Sequence, residues 1–197
     1  MNAAPIQRKQ RSSGFSMIEV LITMFILMFG LLGAVCLMSA GQKAELESYQ
    51  RIQAVMLLQD MVGRINANRK VAGCYAITDI TSGAAYVGTA ATAAAANCTL
   101  GTPDQNARAI SDLTDWGNNL LGTSEVLGGN NVGAMVGARG CVSYDAINDV
   151  YLVSVAWQGL SSTVATSPGL SCASTAYGTV AQRRIVSATI KIATLAT

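Results

Sequence analysis

Residues 14–40 read GFSMIEVLITMFILMFGLLGAVCLMSA, and Glu19 is the sole charged side chain among them. From Val20 to Ala40 the chain has neither charge nor proline. At the rise of an α-helix this run covers about 30 Å, enough to cross the hydrocarbon of a bilayer. Arg8, Lys9 and Arg11 precede it and only Lys43 follows closely, so the positive-inside rule leaves the N-terminus in the cytoplasm and sends the remainder outward. A conventional signal peptide would have no acid in its core and would end in a small-residue cleavage site; here Glu19 intrudes and no A-x-A follows. A lipoprotein reading of Cys36 fails because Val35 stands where a small residue is wanted. At the end of the helix an acid can snorkel to the interface. The sharper reading is that an intramembrane carboxylate is kept for a partner.

Gly14-Phe15-Ser16-Met17-Ile18-Glu19, followed by the apolar run, resembles the class III signal of type IV pilins and of type II secretion pseudopilins. The resemblance implies cleavage between Gly14 and Phe15 by a prepilin peptidase and N-methylation of Phe15. It also implies a docking role for Glu19, whose carboxylate would pair with the N-terminal ammonium of an adjacent subunit. Each charge is costly alone in a low dielectric and each relieves the other. The domain reading follows: a basic leader over 1–14, a transmembrane and filament-core helix over 15–41, an amphipathic continuation over 42–70, and a periplasmic globular domain over 71–197. Major pilins of this family commonly carry a proline where Cys36 stands, which points to a minor component.

Composition narrows the function. The chain has 197 residues, 51% of them hydrophobic and only 12% charged, with a net charge of +2. Removing the segment through Gly14 leaves ten basic against eleven acidic side chains. No basic stripe remains for phosphate contacts, so no nucleic-acid partner is expected. There is no histidine, which excludes Ser-His, Cys-His and His-metal sites. No cofactor, metal or catalytic residue is assigned. Cys36 lies in the oily run; Cys74, Cys98, Cys141 and Cys172 are widely spaced and form no C-x-x-C pair. Behind an export signal they read as two disulfides. Three connectivities are open, and the nearest-neighbour one, Cys74–Cys98 with Cys141–Cys172, is the expectation.

Along the chain, Leu46, Tyr49, Ile52, Met56, Leu57, Met61 and Ile65 recur at helical spacing and predict an amphipathic continuation ending near residue 68. Residues 74–80, CYAITDI, read as a short strand or extended piece, and the Ala-, Gly- and Thr-rich stretch 81–97 as a surface loop. Thr102-Pro103-Asp104-Gln105 carries an N-cap, a proline for the first turn and a capping-box glutamine. The helix it opens has Ala107, Ile110, Leu113 and Leu120 or Leu121 as its core face and ends at Leu121-Gly122. The stretch from Gly128 to Gly140 reads as a loop. Strands follow over 139–146, 150–158 and 183–195, the last two with period-2 alternation. The fold class is therefore α+β: a type IV pilin fold in which the long N-terminal helix packs on a small antiparallel sheet with disulfide-stapled loops.

Cys74, Ala156-Trp157-Gln158-Gly159 and Arg183-Arg184 resemble the PilV-type minor pilins, the type IV pilus modification proteins. That resemblance implies a low-abundance subunit that helps prime pilus assembly, near the tip. Its expected partners are other minor pilins, the major pilin, a pilus-tip adhesin, the prepilin peptidase and inner-membrane lipid. Its expected location is the inner membrane and then the cell-surface pilus. Two alternatives stand beside it. One is a minor pseudopilin of a type II secretion system. The other is a membrane-anchored periplasmic enzyme using acids among Asp104, Asp112, Asp115, Asp145 and Asp149. Asp112 and Asp115 share a helix face, a pattern commoner on solvated surfaces than in acid–base couples.

Overall fold

A computed structural model of the chain describes residues 14–93, 97–133 and 135–193. Arg8, Lys9 and Arg11, and with them the expected leader up to Gly14, lie outside the described residues. So do part of the alanine run and the last two residues of the expected strand 183–195.

The chain divides into two compact units, Met1–Ala44 and Glu45–Thr197. Helix α1, Met17–Ala67, contributes to both. In the first unit every described residue is exposed. Its sequence is apolar on all sides, so helix formation leaves no polar face to turn to water.

In the second unit α1 supplies Ala54, Leu58, Met61 and Ile65, spaced four, three and four apart, to the main core. Leu46, Tyr49, Ile52 and Met56 do not join them; each is more than half exposed. At 100° per residue these four sit about 150° around the helix from the buried set. The stripe read from the sequence is thus two stripes, and only one has a core to face.

After Ala67 the chain tightens into a 3-10 segment, Arg69–Tyr75, which takes up the first two residues of the stretch 74–80; residues 76–80 follow it without forming a strand. Buried Val71, Ala72 and Tyr75 turn the chain under the second helix, and Cys74 is held to Cys98 with their Cα atoms 5.3 Å apart. Helix α2, Pro103–Leu120, opens with the full capping box: Thr102 and Gln105 each hold the other's backbone N–H. Its buried face is Ala109, Asp112, Leu113, Trp116 and Leu120; Ala107 is exposed and Ile110 half-buried, so the face is rotated from the one expected. Trp116 sets that rotation. It is fully buried and its Nε1 donates to the Leu57 carbonyl at 2.9 Å.

The sheet has four antiparallel strands: β1 (Val87–Gly88), β4 (Arg139–Asp145), β5 (Val150–Gln158) and β6 (Arg183–Ile190), in the order β1-β4-β5-β6. Strand β1 arises inside the stretch expected to be a loop. Another such stretch forms an exposed hairpin of β2 (Val126–Leu127) and β3 (Asn130–Asn131). Its turn residues Gly128 and Gly129 both have positive φ, which glycine adopts without a Cβ penalty. Val142, Val153, Val155 and Trp157 face the helices. Gly140 lies under Trp116, where a Cβ would come within 2.4 Å of the indole ring.

The alternation in β5 is true but incomplete. Ser154 and Ala156, on the other face, are also buried. The loop between β5 and β6 folds across that face and carries Cys172, Ala173 and Tyr177 into a second cluster with Cys141 and Ala156. Cys141 and Cys172 are bonded, Cα atoms 5.8 Å apart. Polar Gly/Ser/Thr-rich loops bury little apolar surface, so the two bridges supply constraint that packing does not.

Candidate assembly site

Helix α1 begins at Met17, so the Gly14–Phe15 peptide lies outside regular structure. A Cβ at Gly14 would meet nothing within 4 Å, and Phe15 is 80% exposed. Glu19 lies in the first helical turn, its backbone N–H bonded to the Ser16 carbonyl at 3.0 Å. Ser16 and Glu19 have capping-box spacing, a signal the sequence reading passed over. No side-chain bond joins them here, and the Glu19 carboxylate has no hydrogen-bond or ion-pair partner among the described residues. The free N–H groups of the first turn favour an acid there, but only modestly. The following helix reaches a mean hydropathy of 2.7 over its most apolar window, with none of that window buried, and is long and apolar enough to cross a membrane. Cys36 within it is a free, exposed thiol.

In the second unit, polar ties hold α1 in place. Glu47 accepts from Arg184 Nη2 at 3.2 Å and from the backbone N–H and hydroxyl of Ser161. Burial would raise its pKa, but those bonds and the Arg184 charge hold it below the usual carboxylate range. Further along, Arg64 donates to Asp60 at 2.9 Å and to Asp112 at 3.0 Å. Burial would lower the pKa of the guanidinium, but these carboxylates leave it raised. Tyr75 donates to Asp112 at 2.6 Å and is pushed up to about 12 by burial and by that bond. Asn68 completes the network, donating to Tyr75 and to the Gln105 carbonyl.

That network changes the reading of one acid. Asp112 is not solvated surface; it is buried, and it fastens α2 to α1. Asp104 and Asp115 are exposed. Asp145 caps the β4–β5 turn through Ile147 and Asn148, and Asp149 accepts from the Tyr144 hydroxyl at 2.9 Å. Asp112, Asp145 and Asp149 therefore serve structural duties, and Asp115 stands 3.9 Å from the same Arg64 that Asp112 holds. Among the described residues no group of three or more His, Cys, Asp or Glu could hold a metal ion.

Two family models match the sequence. Residues 9–35 match the prokaryotic N-terminal methylation motif, and residues 39–108 match the family described as type IV pilin Tt1218. The chain is type IV pilin-like. No curated protein and no solved structure matches it. The second match runs from the end of the apolar segment into α2, so it covers the part of this pilin in which α1, the Cys74–Cys98 bridge and the cap of α2 meet. The two matches support a pilin or pseudopilin role and processing by a prepilin peptidase. Two of the residues that resemble PilV-type proteins, Gly159 and Arg184, meet in space. Gly159 lies against the Arg184 guanidinium, where a Cβ would come within 2.6 Å of Cζ, and Arg184 reaches Glu47 on α1.

Proposed function

We propose that this pilin is a minor subunit of a type IV pilus that helps prime assembly and sits in low amount near the tip. Gly14–Phe15 is the proposed cleavage site, Phe15 the methylated terminus, and Glu19 the residue that docks on the N-terminal ammonium of a neighbouring subunit. The N-terminus is proposed to be cytoplasmic and the second unit periplasmic before the subunit enters the pilus. Other minor pilins, the major pilin and a tip adhesin are the proposed partners.

One observation carries this reading: among the described residues, an acid without an intramolecular partner opens a helix whose first part has no intramolecular core. Both lacks are met by the same event, the bundling of several such helices. The pair of opposite charges then fixes axial register, which a smooth apolar helix cannot do. Two lesser observations support it. The outward stripe Leu46, Tyr49, Ile52 and Met56 extends the uncovered apolar surface past the membrane-length segment. Met56 and Leu57 also line a cleft of about 210 Å³ with Glu125 and Met135. Cys36, in the place where major pilins commonly carry proline, supports a minor subunit.

The test is Glu19→Ala. Removing one partner of a buried pair typically costs about 3 to 5 kcal/mol. The variant is expected to insert and fold but to be depleted at least tenfold in sheared pili and in detergent-extracted pilin complexes, relative to its membrane level. Unchanged incorporation would reduce Glu19 to an interfacial acid. Recovery of the wild-type protein with secretion components rather than pilus subunits would assign it to a type II secretion pseudopilus.

A further inference from the structure

The back face of the sheet carries two arginines without a counter-charge. Arg139 stands opposite Ala156 in the β4–β5 register and Arg183 opposite Gln158 in the β5–β6 register, so both project from the face that the β5–β6 loop covers. They are 8% and 3% exposed. Neither forms an ion pair with a carboxylate among the described residues, and the Nε of each is buried without a hydrogen-bond partner. Arg139 is packed between aromatic rings, its Cζ 4.7 Å from the centre of Tyr177 and 5.3 Å from that of Tyr86. Its one hydrogen bond goes to the Gly137 carbonyl, which also accepts from the Tyr177 hydroxyl. Arg183 donates to the Cys172 carbonyl at 2.8 Å and to Thr166 Oγ1. Each guanidinium has five N–H donors, and most find no acceptor among the described residues.

Buried cations are normally paired, because desolvating a charge with only carbonyl and ring contacts is expensive. Bracing a loop carbonyl does not require a permanent positive charge, so loop bracing alone leaves the pair unexplained. A planar fork of donors is the arrangement that recognises oxyanions.

We propose that Arg139 and Arg183, flanking Tyr177 beneath the β5–β6 loop, form a binding site for one small oxyanion: a phosphate, a sulfate or a carboxylate. The loop is exposed from Leu160 to Ala165, with Ser161 and Thr163 bonded to Glu47, Arg184 and Ala181, so an ion would enter past this tethered but solvent-facing edge. The ion would neutralise the pair and take up the unpartnered donors. Burial pushes the Arg183 pKa down, and Tyr177, raised to about 12 against the pull of Arg139, stays a neutral donor rather than a counter-ion.

Equilibrium dialysis of the full chain in detergent against labelled inorganic phosphate, with ionic strength held constant by chloride, tests this. About one phosphate per chain is expected. Arg139→Met and Arg183→Met are each expected to weaken binding roughly tenfold or more, the loss of a charged hydrogen bond. Arg51→Met, an exposed change elsewhere, should leave it unaltered. Displacement by acetate at similar concentration would assign the site to carboxylates, such as an acidic side chain of another subunit. Displacement by sulfate but not acetate would assign it to free tetrahedral anions. Absence of saturable phosphate, sulfate or acetate binding to the wild-type chain would overturn the proposal, and that arm needs no variant to fold. Equal binding by the Arg139→Met/Arg183→Met double variant would overturn it too.

Discussion

Residues 17–44 and residues 45–67 belong to one helix, yet they obey different rules. The first stretch is apolar on every side and buries nothing. The second buries one stripe, leaves another bare, and is fastened at Glu47, Leu57 and Arg64 by bonds to other parts of its own unit. Helical propensity does not distinguish the two. What differs is who supplies the surroundings: the chain itself for the second stretch, and lipid or other helices for the first. Polar side chains follow the same division. Along the second they are spent on intramolecular ties, whereas Glu19 has no hydrogen-bond or ion-pair partner among the described residues.

Three sets of substitutions would break or sharpen that contrast. The largest effect belongs to Asp112→Ala, which strips Arg64 of its buried partner and Tyr75 of its acceptor. A loss of about 3 to 5 kcal/mol is expected in denaturant unfolding of the second unit, with membrane insertion unchanged. A loss under 1 kcal/mol would mean that the apolar stripe alone holds α1 to α2. Next is Cys141→Ser with Cys172→Ser. The bridge closes a separation of 31 residues, for which the chain-entropy estimate is about 3 to 4 kcal/mol. Unfolding of oxidised wild type and double variant measures it, and Glu19-dependent incorporation into pili should persist if the variant folds. The smallest effect is expected from Ile52→Ser and Met56→Ser. Despite removing large apolar groups from a helix, each should shift the unfolding free energy of the isolated chain by no more than about 0.5 kcal/mol, because both are already exposed. Their incorporation into filaments should nonetheless fall. Destabilisation of the isolated chain by 2 kcal/mol or more would show that its own residues cover that stripe.

Legibility in the sequence followed the physics of each signal. The capping box at Thr102 and the period-2 runs of β5 and β6 are local codes, and the structure follows them closely. Stripe assignment on α1 failed for Leu46, Tyr49, Ile52 and Met56 because periodicity reports that a face is apolar, not what covers it. The core face of α2 turned on Trp116, whose size and single N–H demand a deep site with an acceptor. Asp112 was misjudged because its partner Arg64 lies 48 residues away, and spacing within one helix says nothing about that. Strand β1 and the β2–β3 hairpin are too short to carry a pattern. For the assembly site, Glu19 stood out as a lone acid in a run of lipid-like residues, whereas Arg139 and Arg183 become a pair only through strand register.

The order of the two bridges has a consequence for covalent continuity. Cys74–Cys98 and Cys141–Cys172 are consecutive, and neither encloses the other. Between them lies the exposed β2–β3 hairpin with Gly128 and Gly129 at its tip. One proteolytic nick there leaves two fragments with no covalent link, one holding both helices and the other the three long strands. Non-reducing denaturing electrophoresis should separate them. In native buffer they should stay together through Trp116 and Leu120 packed over Gly140 and through the β1–β4 pairing. The nicked molecule is then a heterodimer, and its melting temperature, unlike that of the intact chain, should fall on dilution.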